Sequence, residues 1–211
     1  MAAEKKFKDI KDLTPVQMDA LKEVGNIGAG NAATALSKIL NRMIDMSVPE
    51  IKITHINKVA DLVGGPEVPV VGVYLEMSGD APGHIMFILP IDSARNLVNM
   101  MTESDSQEES FDELEISALN EIGNILASSY LVALTGFTGL ALYPSVPSLS
   151  LDMAGAILNV VLIELSMIGD YALVIETIFK EGERAIKGFF FLIPDPGTLE
   201  IILSSLGVEN Y

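Results

Sequence analysis

Apolar and polar positions near the start of the chain alternate with the period of a helix. At about 100° per residue, Leu21, Val24, Gly28 and Ala35 fall on one side, and Asp19, Glu23 and Asn26 fall on the other. Thr14-Pro15 puts a capping hydroxyl before a proline at the first turn, so the helix is predicted from there to about Leu40. Runs rich in Val and Ile come next, with stretches of alternation, and predict strands at Glu50 to Ile56, Val68 to Met77 and Gly83 to Leu89. Gly64-Gly65-Pro66 and Ser78-Gly79-Asp80 supply turns between them, and Ile91 to Met101 reads as helix. After the polar, acidic run Thr102 to Ser110, a second long helix is predicted over Phe111 to Thr138. Strands are then expected at Ser148 to Met153, Ala156 to Met167, Tyr171 to Phe179 and Ala185 to Leu192. A last helix over Pro196 to Leu206 stops at Gly207.

The succession is a repeat. LKEVGNIGAG from Leu21 recurs as LNEIGNILAS from Leu119, and the same offset carries Val48-Pro49 onto Val146-Pro147. Later, Phe87-Ile88-Leu89-Pro90 corresponds in order to Phe191-Leu192-Ile193-Pro194. The expected architecture is α+β: one domain over 1–211 built of two pseudo-symmetric α/β repeats, about 14–101 and 111–207, joined by a linker at about 102–110. The two long helices should lie side by side on one surface over a mainly antiparallel sheet.

Composition narrows the function. With 13 Lys+Arg against 29 Asp+Glu the formal charge is -16, which disfavours nucleic-acid backbones and anionic membranes and favours a protein partner with a basic rim. Zero Cys excludes disulfide scaffolds, thiolate metal sites and cysteine nucleophiles, and with His55 and His84 alone a multi-histidine metal site is not expected. The start, MAAEKKFKDIK, has no apolar run behind it, so a cytoplasmic location is expected. The stretch Met153 to Gly169 is interrupted by Asn159 and Glu164 and falls short of the roughly 20 apolar residues of a membrane span; it reads as buried structure.

The candidate chemistry lies on the polar strips. Asp19, Glu23 and Asn26 project from one strip of the first helix, and Ser117, Glu121 and Asn124 repeat the spacing on the second. A single such strip reads as a solvated face. Both halves, however, keep the same acid and the same amide while Lys22 becomes Asn120 and Asn31 becomes Ser129 around them. Gly25, Gly28, Gly30 and Gly123 each cost a helix about 1 kcal/mol relative to Ala, which points to close packing against those backbones. Neither the order of a dinucleotide fingerprint nor a P-loop Lys-Ser/Thr is present. The acidic run Glu108, Glu109, Asp112, Glu113 and Glu115 lacks the alternation of a calcium loop and reads as a solvated linker and helix start.

Asp/Ser-x-x-x-Glu-x-x-Asn twice, each running on through Gly-Asn-Ile, resembles the CheC/CheX/FliY family of bacterial chemotaxis phosphatases. Leu142-Tyr143-Pro144-Ser145-Val146-Pro147 and Leu151-Asp152-Met153 extend the likeness over nearly the whole chain. Two complete motifs depart from the CheX pattern, and the lack of a flagellar-switch segment after Tyr211 departs from FliY. The resemblance implies dephosphorylation of the response regulator CheY, with magnesium on the CheY-P substrate and no cofactor of the chain's own. Asn26 and Asn124 would then orient the attacking water, an amide offering both donor and acceptor. Glu23 and Glu121 would pair with the regulator's lysine, and Asp19 and Ser117 would contribute to docking or capping. The receptor deamidase CheD is the second partner so implied, with Asp152 a candidate contact. A non-catalytic adaptor for CheY-P or CheD is the rival, and the water-orienting amide kept at both motif ends favours the enzyme.

Overall fold

The structure is a computed structural model that describes residues 12–48, 50–108, 110–165, 171–181 and 184–208. Met1 to Lys11, Pro49, Glu109, Met167, Gly169 and Tyr211 lie outside the described residues.

The first half runs α1 (Pro15–Leu40), β1 (Asp45–Ser47), β2 (Ile51–His55), a 3-10 turn, α2 (Val59–Leu62), β3 (Pro69–Gly79), β4 (Gly83–Pro90) and α3 (Ile91–Thr102). The second repeats that order as α4 (Glu113–Thr138), β5 (Leu142–Pro144), β6 (Ser148–Met153), α5 (Ala154–Leu165), β7 (Tyr171–Glu181), β8 (Arg184–Pro194) and α6 (Thr198–Ser205). Both long helices are 26 residues and begin with reciprocal caps. The Thr14 N–H donates to Gln17 Oε1 at 2.9 Å while the Gln17 N–H donates back to Thr14 Oγ1 at 3.4 Å. Asp112 and Glu115 do the same at 3.0 and 2.8 Å, satisfying N–H groups that a helix start otherwise leaves without partners. Both helices end on a left-handed residue, Asn41 at φ 49° and Gly139 at φ 71°, in matching positions of the repeat.

The sheet is exchanged between the halves. Its order is β1-β7-β8-β4-β3-β5, with β2 also on β7 and β6 also on β3, and every pair is antiparallel. The first half's opening strands therefore complete the second half's hairpin, and the reverse, so neither half has a sheet of its own. Alternation along the strands makes two cores. Val71, Val73, Leu75, Phe87 and Ile175 face α1, α3, α4 and α6, whereas Val70, Met86, Ile88, Val174 and Phe191 face α2 and α5.

Three expectations change. Ala156 to Met167, expected as a strand, is the helix α5 as far as Leu165. Its near-continuous apolar run carries no period that separates helix from strand. The need to cover the second face of the sheet decides it: Ala154, Ile157 and Leu158 are buried there, and a Cβ on Gly72 would come within 2.9 Å of Ile157 Cγ2. The short strands β1 and β5 escaped the pattern because three residues are too few to show a period. Finally, Phe87 lies on the long-helix face opposite Phe190, while Phe191 lies on the other face, so by face Phe87 matches Phe190. A one-residue slip along a strand reverses every side chain.

Candidate functional site

The two long helices cross closely and run antiparallel. Leu21 and Leu134 line one small apolar space, Gly28 meets Tyr130, and Leu36 and Ile122 line another, so numbers fall on α4 as they rise on α1. A Cβ on Gly28 would stand 2.6 Å from Tyr130 Cδ1 and 3.0 Å from its Cα. The Tyr130 ring stacks on Phe190 at 4.2 Å and its hydroxyl meets Thr177 Oγ1 at 3.2 Å. Burial pushes this phenol up to about 12, partly opposed by that hydrogen bond.

Close packing holds at Gly28 and at Gly123, whose Cβ would lie 2.5 Å from Val73 Cγ1; at Gly25 the nearest atom is 3.8 Å away, and at Gly30 nothing stands within 4 Å. The expectation of a close neighbour is therefore wrong at Gly30, which is exposed. Gly28→Ala should cost about 1–3 kcal/mol because backbone must move. Gly30→Ala should stabilise by about 1 kcal/mol through helix propensity. Chemical denaturation of the two variants checks the pair, and equal behaviour would contradict the crossing.

On this frame Asp19, Glu23 and Asn26 are exposed on α1; Ser117 and Glu121 are exposed on α4, and Asn124 is half-buried. Among the described residues none of the six takes a hydrogen-bond or ion-pair partner within the chain, so their polar ends remain available. Because the helices are antiparallel and both strips lie in the N-terminal halves, the strips run outward from the crossing in opposite directions. With Gly28 level with Tyr130, Asn26 and Asn124 stand about 12 Å apart along the helix axis at 1.5 Å per residue. They belong to two separate places rather than one shared centre.

The second place is a depression of about 540 Å³ lined by Ser117, Glu121 and Asn124, with Leu114 and Asn120 beside them and Met101, Thr102 and Pro147 in its walls. Arg95 on α3, only 6% exposed, ties α3 to the linker and the start of α4. Its Nε donates to the Glu108 carbonyl at 2.8 Å, its Nη2 to the Ser110 carbonyl at 2.6 Å, and its Nη1 to the Glu115 carboxylate, with the guanidinium 4.1 Å above the Phe111 ring. Glu115, expected in a solvated run, is thus a mostly covered partner of Arg95; Glu108, Asp112 and Glu113 are exposed as that reading requires. Arg95 escaped the sequence reading because nothing local to it shows a carboxylate twenty residues on.

Asp152 lies apart, exposed on strand β6, opposite Val70 of β3, its Oδ1 accepting the Met153 N–H at 2.7 Å. His84 Nδ1 meets the Tyr74 hydroxyl at 2.7 Å, and its Nε2 lies 3.5 Å from Asp195. Among the described residues no group of three or more His, Asp or Glu is arranged to hold a metal, and no helix is long and apolar enough to cross a membrane.

The fold is one that solved flagellar-switch proteins share. Thermotoga maritima FliY superposes with a TM-score of 0.77 at 21% identity, covering 94% of this chain and 99% of that one. The FliM middle domain of Helicobacter pylori does so at 0.66 and 10% identity, over 92% and 99%. In sequence, the model of the CheC-like family matches residues 16–53 and 114–151, the two motif helices together with the segments next to their C-terminal ends. The CheY-P phosphatase CheC of Bacillus subtilis is 43% identical over 198 residues, 92% of this chain and 95% of that protein, and the chain belongs to the CheC-like family. The flagellar motor switch phosphatase FliY of the same bacterium is 28% identical over 60% of this chain and 33% of that protein.

Proposed function

We propose that the protein dephosphorylates CheY-P, each long helix offering one water-orienting site. The observation that carries this reading is the pair of Glu-x-x-Asn strips, exposed but for the half-buried Asn124, with no partner among the described residues, set on helices packed over the shared sheet. Water attacks phosphorus, the bond to the aspartyl oxygen breaks, its electron pair returns to the aspartate carboxylate, and the water proton leaves with inorganic phosphate. Such chemistry requires positioning and charge stabilisation more than a protein base. Asn26 or Asn124 holds the water in line, its amide oxygen accepting a hydrogen bond from that water while its NH2 remains free to bond the phosphoryl group. Glu23 or Glu121, one turn earlier, pairs with the lysine beside the phosphoaspartate and sets the depth of insertion. Asp19 and Ser117 dock one turn further out. Magnesium belongs to the substrate, and the chain brings no cofactor.

A relative 43% identical over 95% of its length that is itself a CheY-P phosphatase supports this reading over the adaptor. The same surface chemistry admits a second partner: Asp152, exposed on a strand that pairs only with β3 among the described residues, is the candidate contact for CheD. The test is the decay of CheY-P with magnesium present, with and without substoichiometric protein, monitored by phosphate release. Faster decay with many turnovers is the expected result. Binding without acceleration, repeated with CheD present, would replace the enzyme by the adaptor.

A further inference from the structure

One turn before each motif stands a large apolar side chain that the fold leaves in the open. Leu114 is 69% exposed and Val16 is 48% exposed, and they occupy the same place in the two halves, three residues ahead of Ser117 and Asp19. Both are on their helix's first turn, which the reciprocal caps hold in place. Counting back from Asn124 at about 100° per residue, Glu121, Ser117 and Leu114 stay within a strip about 80° wide, so the apolar residue continues the same face. Leu114 lines the same depression as Ser117, Glu121 and Asn124. Solitary exposed apolar side chains need no explanation, but one repeated in both halves in line with the motif, and on α4 part of the site's own wall, does.

We infer that Leu114 and Val16 are docking anchors for the phosphorylated regulator, each seating in an apolar spot on the receiver surface at a distance from the phosphoaspartate; this rests on the phosphatase reading above. The occupant is fixed by continuity. A partner whose lysine meets Glu121 and whose phosphoryl group meets Asn124 must also lie over Leu114, because the four side chains line one face of one helix. An anchor of this kind binds ground state and transition state alike, since it lies about 15 Å along the helix from the reacting atoms at 1.5 Å per residue. It therefore affects KM and leaves kcat alone. The antiparallel crossing puts Leu114 and Val16 at the outermost end of each strip, which directs the two docked regulators away from each other.

The experiment isolates the α4 site by working in an Asn26→Ala background, and measures kcat and KM for CheY-P with Leu114→Ala and Leu114→Met. Leu114→Ala is expected to raise KM on the order of 10-fold with kcat unchanged, the scale of losing a buried leucine's contact. Leu114→Met, which keeps the apolar volume, should restore KM most of the way. Thermal unfolding of both variants should match the background protein, since Leu114 makes little contact within the fold. An unchanged KM, or a fall in kcat at constant KM, overturns the anchor while leaving the phosphatase reading intact. No catalysed decay by the unsubstituted protein overturns that reading, and the anchor with it.

Discussion

The protein carrying Asn26→Ala and Asn124→Ala together is expected to lose on the order of 10²-fold in its acceleration of CheY-P decay, the scale of removing one positioning interaction from each site. Each single variant should lose only the share its own helix carries, because the two amides serve separate places about 12 Å apart along the helix axis. Both side chains sit on the polar face rather than against the sheet, so the folded state should be unaffected and circular dichroism should show it unchanged. Glu23 and Glu121 act differently. Replacing either by Gln should raise KM at its site more than it lowers kcat, since the carboxylate's part is to pair with the partner's lysine. Phosphate release measured under single and multiple turnover separates these effects. A double Asn variant as active as the parent would remove the water-orienting mechanism altogether.

The second large effect is expected away from both strips. Arg95→Ala leaves the largely buried Glu115 carboxylate with the Asp112 N–H but no cation, and releases the carbonyls of Glu108 and Ser110. Breaking a buried pair from one side costs about 3–5 kcal/mol, far more than a surface ion pair. A fall of this size in stability, read from the denaturant midpoint at unchanged slope, is the expected result. Arg95→Lys should rescue little, because one ammonium cannot span two carbonyls and a carboxylate as the planar guanidinium does. The functional cost should be lopsided. Glu115 caps α4, so the α4 site, measured in an Asn26→Ala background, should weaken more than the α1 site, measured in an Asn124→Ala background. Equal losses at both would mean that Arg95 supports the fold without organising the second site.

Much of this protein is local and was therefore readable in its residues. Both long helices announce themselves by period, by Thr14-Pro15 and by polar strips that recur at one spacing, and the structure ends them at the expected Leu40 and Thr138. The candidate residues were legible for the same reason: Asp19, Glu23 and Asn26 share a face through helical geometry alone. The matching caps at Thr14–Gln17 and Asp112–Glu115 were there to be found, since the repeat places them in register. So were Val16 and Leu114, one turn before each strip.

Only the tertiary structure decided the non-local part. Nothing in the order of two similar halves says that each lends its first strands to the other's hairpin; that arises from closing one sheet between them, and antiparallel pairing between distant segments leaves no mark in local pattern. The run beginning at Ala154 could take either period, and became a helix because one face of the sheet required covering. Arg95 found Glu115 across the linker, and Gly28 found Tyr130 across the helix crossing, through contacts between elements. Residue pattern determined what each helix displays; packing determined that two such helices cross antiparallel, turning a doubled motif into two sites set apart along the helix axis.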